Sequence, residues 1–301
     1  MARNSKPDKG AWESELAARG VAHGEGLGAH RAALAALLQA LAGDAGVLGV
    51  RLGGSLARGG GDALSDLDVV VEVHPDHFGA VWSDREALAR IAGDVVLALE
   101  HQWGPPVQEA CYAAVYADGL YLDLVFRRVF RQGSRPEPAG DVVLWRRADI
   151  PDHPSGPPSS EEPLPILVDP LEDTFALFWC GSLLCAKHLV RKDLWNALWF
   201  VQSRRDLFLR AWRLAHSSEH LEWGWHSVRQ DLPAWLMDRL AHAVPRLDQE
   251  ELARALLAMT DLMDEAGPDL ARVTGVAYPL EGARAIGRIV RSLVHAPKPG
   301  A

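Results

Sequence analysis

The segment that most restricts the fold runs from Gly53 to Val73 and reads GGSLARGGGDALSDLDVVVEV. A short apolar run, Val47 to Leu52, precedes it and reads as a buried strand, and Leu67 to Val73 reads as a second. Asp66 and Asp68 are two positions apart, so on a strand their carboxylates point to one face while Val69, Val71 and Val73 fill the other. Two neighbouring carboxylates repel unless a divalent cation lies between them. Gly53 and Gly54 end the first strand without side chains, so phosphate oxygens can approach backbone N–H groups at the start of the next helix, where Ser55 adds a hydroxyl.

The surrounding segments complete an α/β unit. Gly28 to Leu41 is rich in alanine and leucine and predicts a helix, ended by Gly43-Asp44-Ala45-Gly46. After the His74-Pro75-Asp76 break, a helix is expected from about Ser83 to His101, with Asp84 as cap and Leu88, Ile91, Val95, Val96 and Leu99 as its apolar face. Gly104-Pro105-Pro106 ends it. Two strands follow, Val107 to Tyr116 and Tyr121 to Phe126, joined by the hairpin signal Asp118-Gly119. Asp123 shares a face with Tyr121 and Val125 in an otherwise apolar run, and an unpaired carboxylate buried there would cost several kcal/mol. Glu109, on a face with Cys111 and Ala113, reads either as a solvated edge-strand residue or as a second candidate base.

Between Arg131 and Pro170 the chain turns to proline, glycine, serine and charge, with one strand-like run from Asp141 to Trp145, and reads as a linker or long loop. From Leu171 onward the pattern is helical. Phe175, Phe178, Trp179, Ser182, Leu183 and Ala186 share one helix face, and Leu194, Leu198, Val201, Phe208 and Trp212 repeat the spacing. Asp248 with Glu251 resembles a capping box, Gly267-Pro268 is expected to stop the helix that follows, and a last helix spans Leu280 to Val294. The tryptophans concentrated in this half read as bundle packing or, in a sharper reading, as a wall for a sugar or base. Arg204-Arg205 reads as a solvated helix face. The expected architecture is an α/β mixed sheet with flanking helices over 1–130, including a tail over about 1–20, then a linker over 131–170 and an all-α bundle over 171–296.

A chain of 301 residues, 48% apolar, has material for one large core or two modest ones. Its three cysteines, Cys111, Cys180 and Cys185, form no disulfide framework or close-spaced metal pair, and read as reduced, buried thiols. The N-terminal stretch lacks the apolar core of a signal peptide, and no apolar run approaches the roughly 20 residues that span a bilayer, so a cytoplasmic protein is expected. A formal net charge of −9 without an arginine/lysine stripe argues against long nucleic acid as a partner. The same charge suits a cationic small molecule.

Gly53-Gly54-Ser55, ten intervening residues, Asp66-Leu67-Asp68, and a later strand acid in Tyr-Leu-Asp-Leu-Val resemble the signature of the nucleotidyltransferase superfamily, with its polymerase-beta-like core. The match covers about residues 47 to 127. With the helical half that follows, the chain is also similar in architecture to aminoglycoside adenylyltransferases and lincosamide nucleotidyltransferases. The resemblance implies that Asp66 and Asp68 hold Mg2+, that Gly54 and Ser55 bind the phosphates of ATP or another nucleoside triphosphate, and that Asp123 is a third ligand, a general base, or both. It implies that Lys187, with Lys192 next, meets the nucleotide phosphates, against the plainer reading of a surface lysine. The activity implied is transfer of a nucleoside monophosphate, AMP first, to a hydroxyl on a small acceptor. An aminoglycoside-like antibiotic is favoured, which would make the protein a resistance enzyme. The alternatives are a protein or tRNA acceptor, or a nucleotide sensor without turnover.

Overall fold

The structure, a computed structural model, describes residues 8–101, 108–130, 140–148, 170–221 and 224–295. The chain divides into two compact units, Met1–Ile166 and Leu167–Ala301. In the first, helices α1 (Lys9–Ala18) and α2 (Gly28–Leu41) lead into β1 (Val47–Leu52), the short α3 (Gly54–Ala57) and β2 (Leu67–Val73). Then come α4 (Phe78–Ser83), α5 (Arg85–Ala92), β3 (Val95–His101), β4 (Glu109–Tyr116), β5 (Tyr121–Arg128) and β6 (Val142–Arg146). The six strands form one mixed sheet in the order β3-β4-β5-β2-β1-β6. β2 and β5 pair in parallel, and the other described pairings are antiparallel.

The sheet is two-faced because side chains alternate along each strand. Leu67, Val69, Val71 and Val73 of β2, Leu122, Leu124 and Phe126 of β5, and Tyr112, Ala114 and Tyr116 of β4 enter one apolar core. Ala33, Leu34, Ala35, Leu37, Leu38 and Leu41 of α2 pack on that face, as their alanine and leucine content favours, and α5 adds Leu88 and Ala89. α1, within the stretch read as a tail, contributes Trp12 and Leu16 to the same core. β6, within the stretch read as a linker, pairs with β1 and closes that edge. The opposite face carries the polar residues: Asp68 and Asp123 in one row, His101, Cys111 and Arg51 in the next, and Glu72, Arg127 and Glu109 in the third.

The helix expected from Ser83 to His101 is not formed. α5 stops at Ala92, and Val95 to His101 is the edge strand β3, paired with β4 from Val95↔Tyr116 to His101↔Cys111. Leu88, Ile91, Val95 and Leu99 fit a helical spacing, but Gly93-Asp94 interrupts it and the β-branched Val95 and Val96 favour a strand. Gly93 is extended, and a Cβ there would lie 2.8 Å from Tyr116 Cδ1, so the strand leaves the helix under the ring. Ile91, assigned to the buried face, is 50% exposed. Arg85 Nε donates to Glu100 Oε1 at 2.8 Å and fastens α5 to β3. The Gly104-Pro105-Pro106 break and Val107 lie outside the described residues. The Asp118-Gly119 hairpin forms as expected, with Gly119 at φ +88° and Leu120 N–H donating to Asp118.

Helices α6 (Pro170–Val190), α7 (Leu194–Ala215), α8 (Val228–Asp231), α9 (Ala234–His242), α10 (Gln249–Thr274) and α11 (Leu280–His295) make up the second unit. Phe175, Phe178, Trp179, Ser182, Leu183 and Ala186 are all buried, as their spacing predicts. Asp248 caps α10 by accepting from Glu250 and Glu251 N–H, but Glu251 pairs with Arg246 instead of returning to the cap. Gly267-Pro268 does not stop α10, which runs on to Thr274 and ends at Gly275, φ +76°. Beside the proline, Gly267 gives room for the Tyr278 ring, whose hydroxyl donates to Met263 O at 3.2 Å. Two further expectations fail here. Arg204 is buried beside the Phe178 and Phe200 rings instead of solvated, and Trp195, Trp199 and Trp235 are exposed by half or more instead of packed in the bundle. Among the described residues, no helix is long and apolar enough to cross a membrane.

Glu109 is not a solvated edge residue either, because β3 takes the edge and β4 lies inside the sheet. Its carboxylate is buried and accepts from Arg127 Nε at 2.7 Å. Removing one partner of a buried ion pair strands the other charge, so Glu109→Ala is expected to destabilise the first unit by about 3–5 kcal/mol, read by urea unfolding, with Glu109→Gln milder.

Candidate active site

Asp68 on β2 and Asp123 on β5 are register partners across the parallel pair, which sets their backbones about 4.8 Å apart with both carboxylates on the polar face. Asp66 stands two residues earlier, one before β2 begins. The Asp68 carboxyl is pushed up from 3.8 to about 6, first by burial and then by the negative charges of Asp123 and Asp66. Asp141 adds to the rise, and Arg58 opposes it. Partly buried carboxylates gathered around Asp68, whose proton affinity the others raise, are a set of hard oxygen donors that a divalent cation would relieve, so these residues fit Mg2+.

The glycine turn is built against this carboxylate. Gly53 N–H donates to the Asp68 carbonyl at 2.8 Å, which fixes the turn beside β2. Gly54 sits at φ +66°, where side chains are disfavoured, and a Cβ there would overlap Asp68 Oδ2. Ser55 Oγ donates to Ser65 Oγ at 3.1 Å, and Ser65 Oγ in turn accepts from Asp62 N–H at 2.9 Å. Asp62 thus opens a turn, its carbonyl accepting from Ser65 N–H at 2.9 Å. The Ser65 carbonyl meets His30 Nε2 of α2 at 2.8 Å, so the loop between β1 and β2 is tied to a core helix.

Two residues join the site without having been singled out in the sequence. Asp141, just before β6, has its Oδ1 3.4 Å from the position of a Gly53 Cβ and lies 3.9 Å from Arg51 Nε. Arg51 is buried in β1 and also faces Glu72 at 3.8 Å, a cation set beside the acids. His101, at the end of β3, has Nε2 3.4 Å from Asp123 Oδ1, and Cys111 Sγ lies 3.7 Å from the same oxygen. The signal for His101 was the strand alternation of Val95 to His101, which the helical reading concealed. For Asp141 it was the strand-like run that Asp141 opens.

No family model matches this sequence, and no curated protein matches it. Among solved structures, an aminoglycoside 6-adenyltransferase from Bacillus subtilis aligns over 87% of this chain and 97% of its own, at 15% identity and a TM-score of 0.35.

Lys187 belongs to the second unit, in the last turn of α6. It is 2% exposed, so the plain surface lysine is not what the structure shows. Lys192, the next candidate, is exposed in the turn after α6, at φ +59°.

The Asp68 setting has a consequence for pH. An acid whose folded value lies above its unfolded 3.8 holds its proton more tightly when folded, so its contribution is present below about pH 4 and is lost as pH rises through about 6. In chelator-treated protein, Asp68→Asn is therefore expected to gain stability over the parent between pH 4 and 7, by up to about 3 kcal/mol. Paired urea titrations at fixed pH values measure it. Gly54→Ala is expected to lower stability by about 1–3 kcal/mol, because the new methyl must displace Asp68 from a backbone already at positive φ. A thermal melt set beside a distant surface Gly→Ala control checks this.

Proposed function

We propose that the protein is a nucleotidyltransferase that moves a nucleoside monophosphate, AMP first, from a nucleoside triphosphate to a hydroxyl of a small acceptor. The observation that carries this reading is the in-register pair Asp68 and Asp123, with Asp66 close enough to raise the Asp68 carboxyl and a glycine turn pressed against that carboxylate. Asp66, Asp68 and Asp123 would hold Mg2+, which when bound supplies neutralisation of the triphosphate and a lower pKa for the attacking hydroxyl. Gly54 would offer its backbone N–H to phosphate oxygens, and Ser55 a hydroxyl, at the start of α3. Asp123 takes the proton of the acceptor hydroxyl as its oxygen attacks the α-phosphorus and pyrophosphate departs. Lys187 is the proposed contact to the nucleotide phosphates.

A cationic, aminoglycoside-like acceptor is favoured, and antibiotic resistance is the role it would imply. Asp141 supports it, as a fourth carboxylate beside Asp68 that raises the negative potential where the acceptor would dock. The net charge of −9 supports a small cation over tRNA for the same reason.

Pyrophosphate release from each of the four ribonucleoside triphosphates with Mg2+, across aminoglycosides and lincosamides, tests the proposal. Release is expected to depend on acceptor, to stop with chelator, and to fall on the order of 100-fold or more in Asp66→Asn and Asp68→Asn. Lys187→Ala is expected to raise the nucleotide KM more than it lowers kcat. Folded Asp68→Asn protein that releases pyrophosphate at the parent rate would sink the assignment.

A further inference from the structure

We infer that His101 Nε2, Cys111 Sγ and Asp123 Oδ1 form a three-ligand site for a zinc-class divalent cation, and that filling it withdraws Asp123 and shuts off nucleotidyl transfer. The inhibitory half rests on the proposed function; the binding half stands on geometry alone.

Three adjacent strands supply one donor each. His101 of β3 and Cys111 of β4 are cross-strand partners, and Cys111 pairs with Val125, two residues beyond Asp123 on β5. Register therefore sets all three on the polar face, and their donor atoms lie within 4.8 Å of one another. Zinc bonds of about 2.0–2.3 Å in tetrahedral array separate neighbouring ligand atoms by roughly 3.3–3.7 Å. His101 to Asp123 is 3.4 Å and Cys111 to Asp123 is 3.7 Å, so two edges of that tetrahedron are already present. Only the edge between imidazole and thiol has to close, by about 1 Å at most. Cys111 is 1% exposed, while the His101 and Asp123 side chains are 18% and 14% exposed. The thiol is thus shielded, while the other two donors keep part of their surface exposed, and a water would take the fourth position.

The donor set separates this site from the carboxylates beside it. Thiolate and imidazole suit zinc and its neighbours in the first transition row, whereas Mg2+ takes oxygen donors. Asp123 belongs to both sets. Binding forms bonds from the ion to sulfur, nitrogen and oxygen, and the Cys111 thiol proton is released to solvent. With Asp123 so engaged, Asp66 and Asp68 lose their third partner.

The test uses the full chain, stripped with chelator and titrated with Co2+ and then Zn2+, without nucleotide or Mg2+. One equivalent of Co2+ is expected to give a near-ultraviolet thiolate-to-cobalt band and intense visible bands of tetrahedral geometry, both displaced by Zn2+. Cys111→Ser is expected to abolish the near-ultraviolet band. Cys111→Ala, better suited to a buried position, repeats the test if the serine variant misfolds, as judged by circular dichroism. Substituting Cys180 and Cys185 together is expected to leave the band in place. His101→Ala is expected to weaken cobalt binding at least tenfold. A parent protein without the band, or a band that survives loss of Cys111, overturns the site whatever the enzyme does. If the band is present, Zn2+ is expected to suppress Mg2+-dependent pyrophosphate release, and undiminished release at saturating Zn2+ overturns the inhibitory half. Spectra as expected with no pyrophosphate release under any condition would remove the proposed function and leave the binding site standing.

Discussion

The first unit is organised around a repulsion. Asp68 and Asp123 are set side by side by the parallel pairing of β2 with β5, and the other acids nearby, Asp66 and Asp141, increase the proton affinity of Asp68. Such an arrangement opposes folding, so the apolar face behind it must over-determine the strand positions. It does so through Leu67, Val69 and Val71 beneath Asp68, and Leu122, Leu124 and Phe126 beneath Asp123, all fully buried. One face of each strand supplies the cohesion that holds the other in an unfavourable electrostatic state.

The cations near the acids are placed to limit the repulsion without cancelling it. Arg51 is engaged by Glu72 as well as Asp141, and Arg127 by Glu109. Arg58, exposed at the end of α3, acts on Asp68 against the acids. The charge around Asp68 thus stays predominantly negative where the turn at Gly54 meets the sheet.

Much of this was legible in the sequence, for a physical reason. Strand alternation is local, so the facing of Asp68 and Asp123 away from their apolar neighbours could be read from spacing, as could the hairpin at Asp118-Gly119 and the buried stripe from Phe175 to Ala186. What failed was decided by tertiary context. Val95 to His101 fits either a helix face or a strand, and only pairing with β4 selects the strand and so delivers His101 to Asp123. Pro268 stops an isolated helix, but α10 runs through it to Thr274, with Gly267 leaving room for the Tyr278 ring against the same turn. Glu109 looked like an edge residue because the edge strand outside it had been read as helix.

The parallel pairing of β2 with β5 also orders events during synthesis. Asp66 and Asp68 leave the ribosome well before Asp123, and between them must emerge α4, α5 and the whole of the β3–β4 hairpin. Until β5 inserts between β2 and β4, the first two acids have no third partner and the sheet has no centre. The site is therefore among the last features of this unit to exist, and a nascent chain stalled before Arg128 would carry the glycine turn and the acid pair with no place to close them.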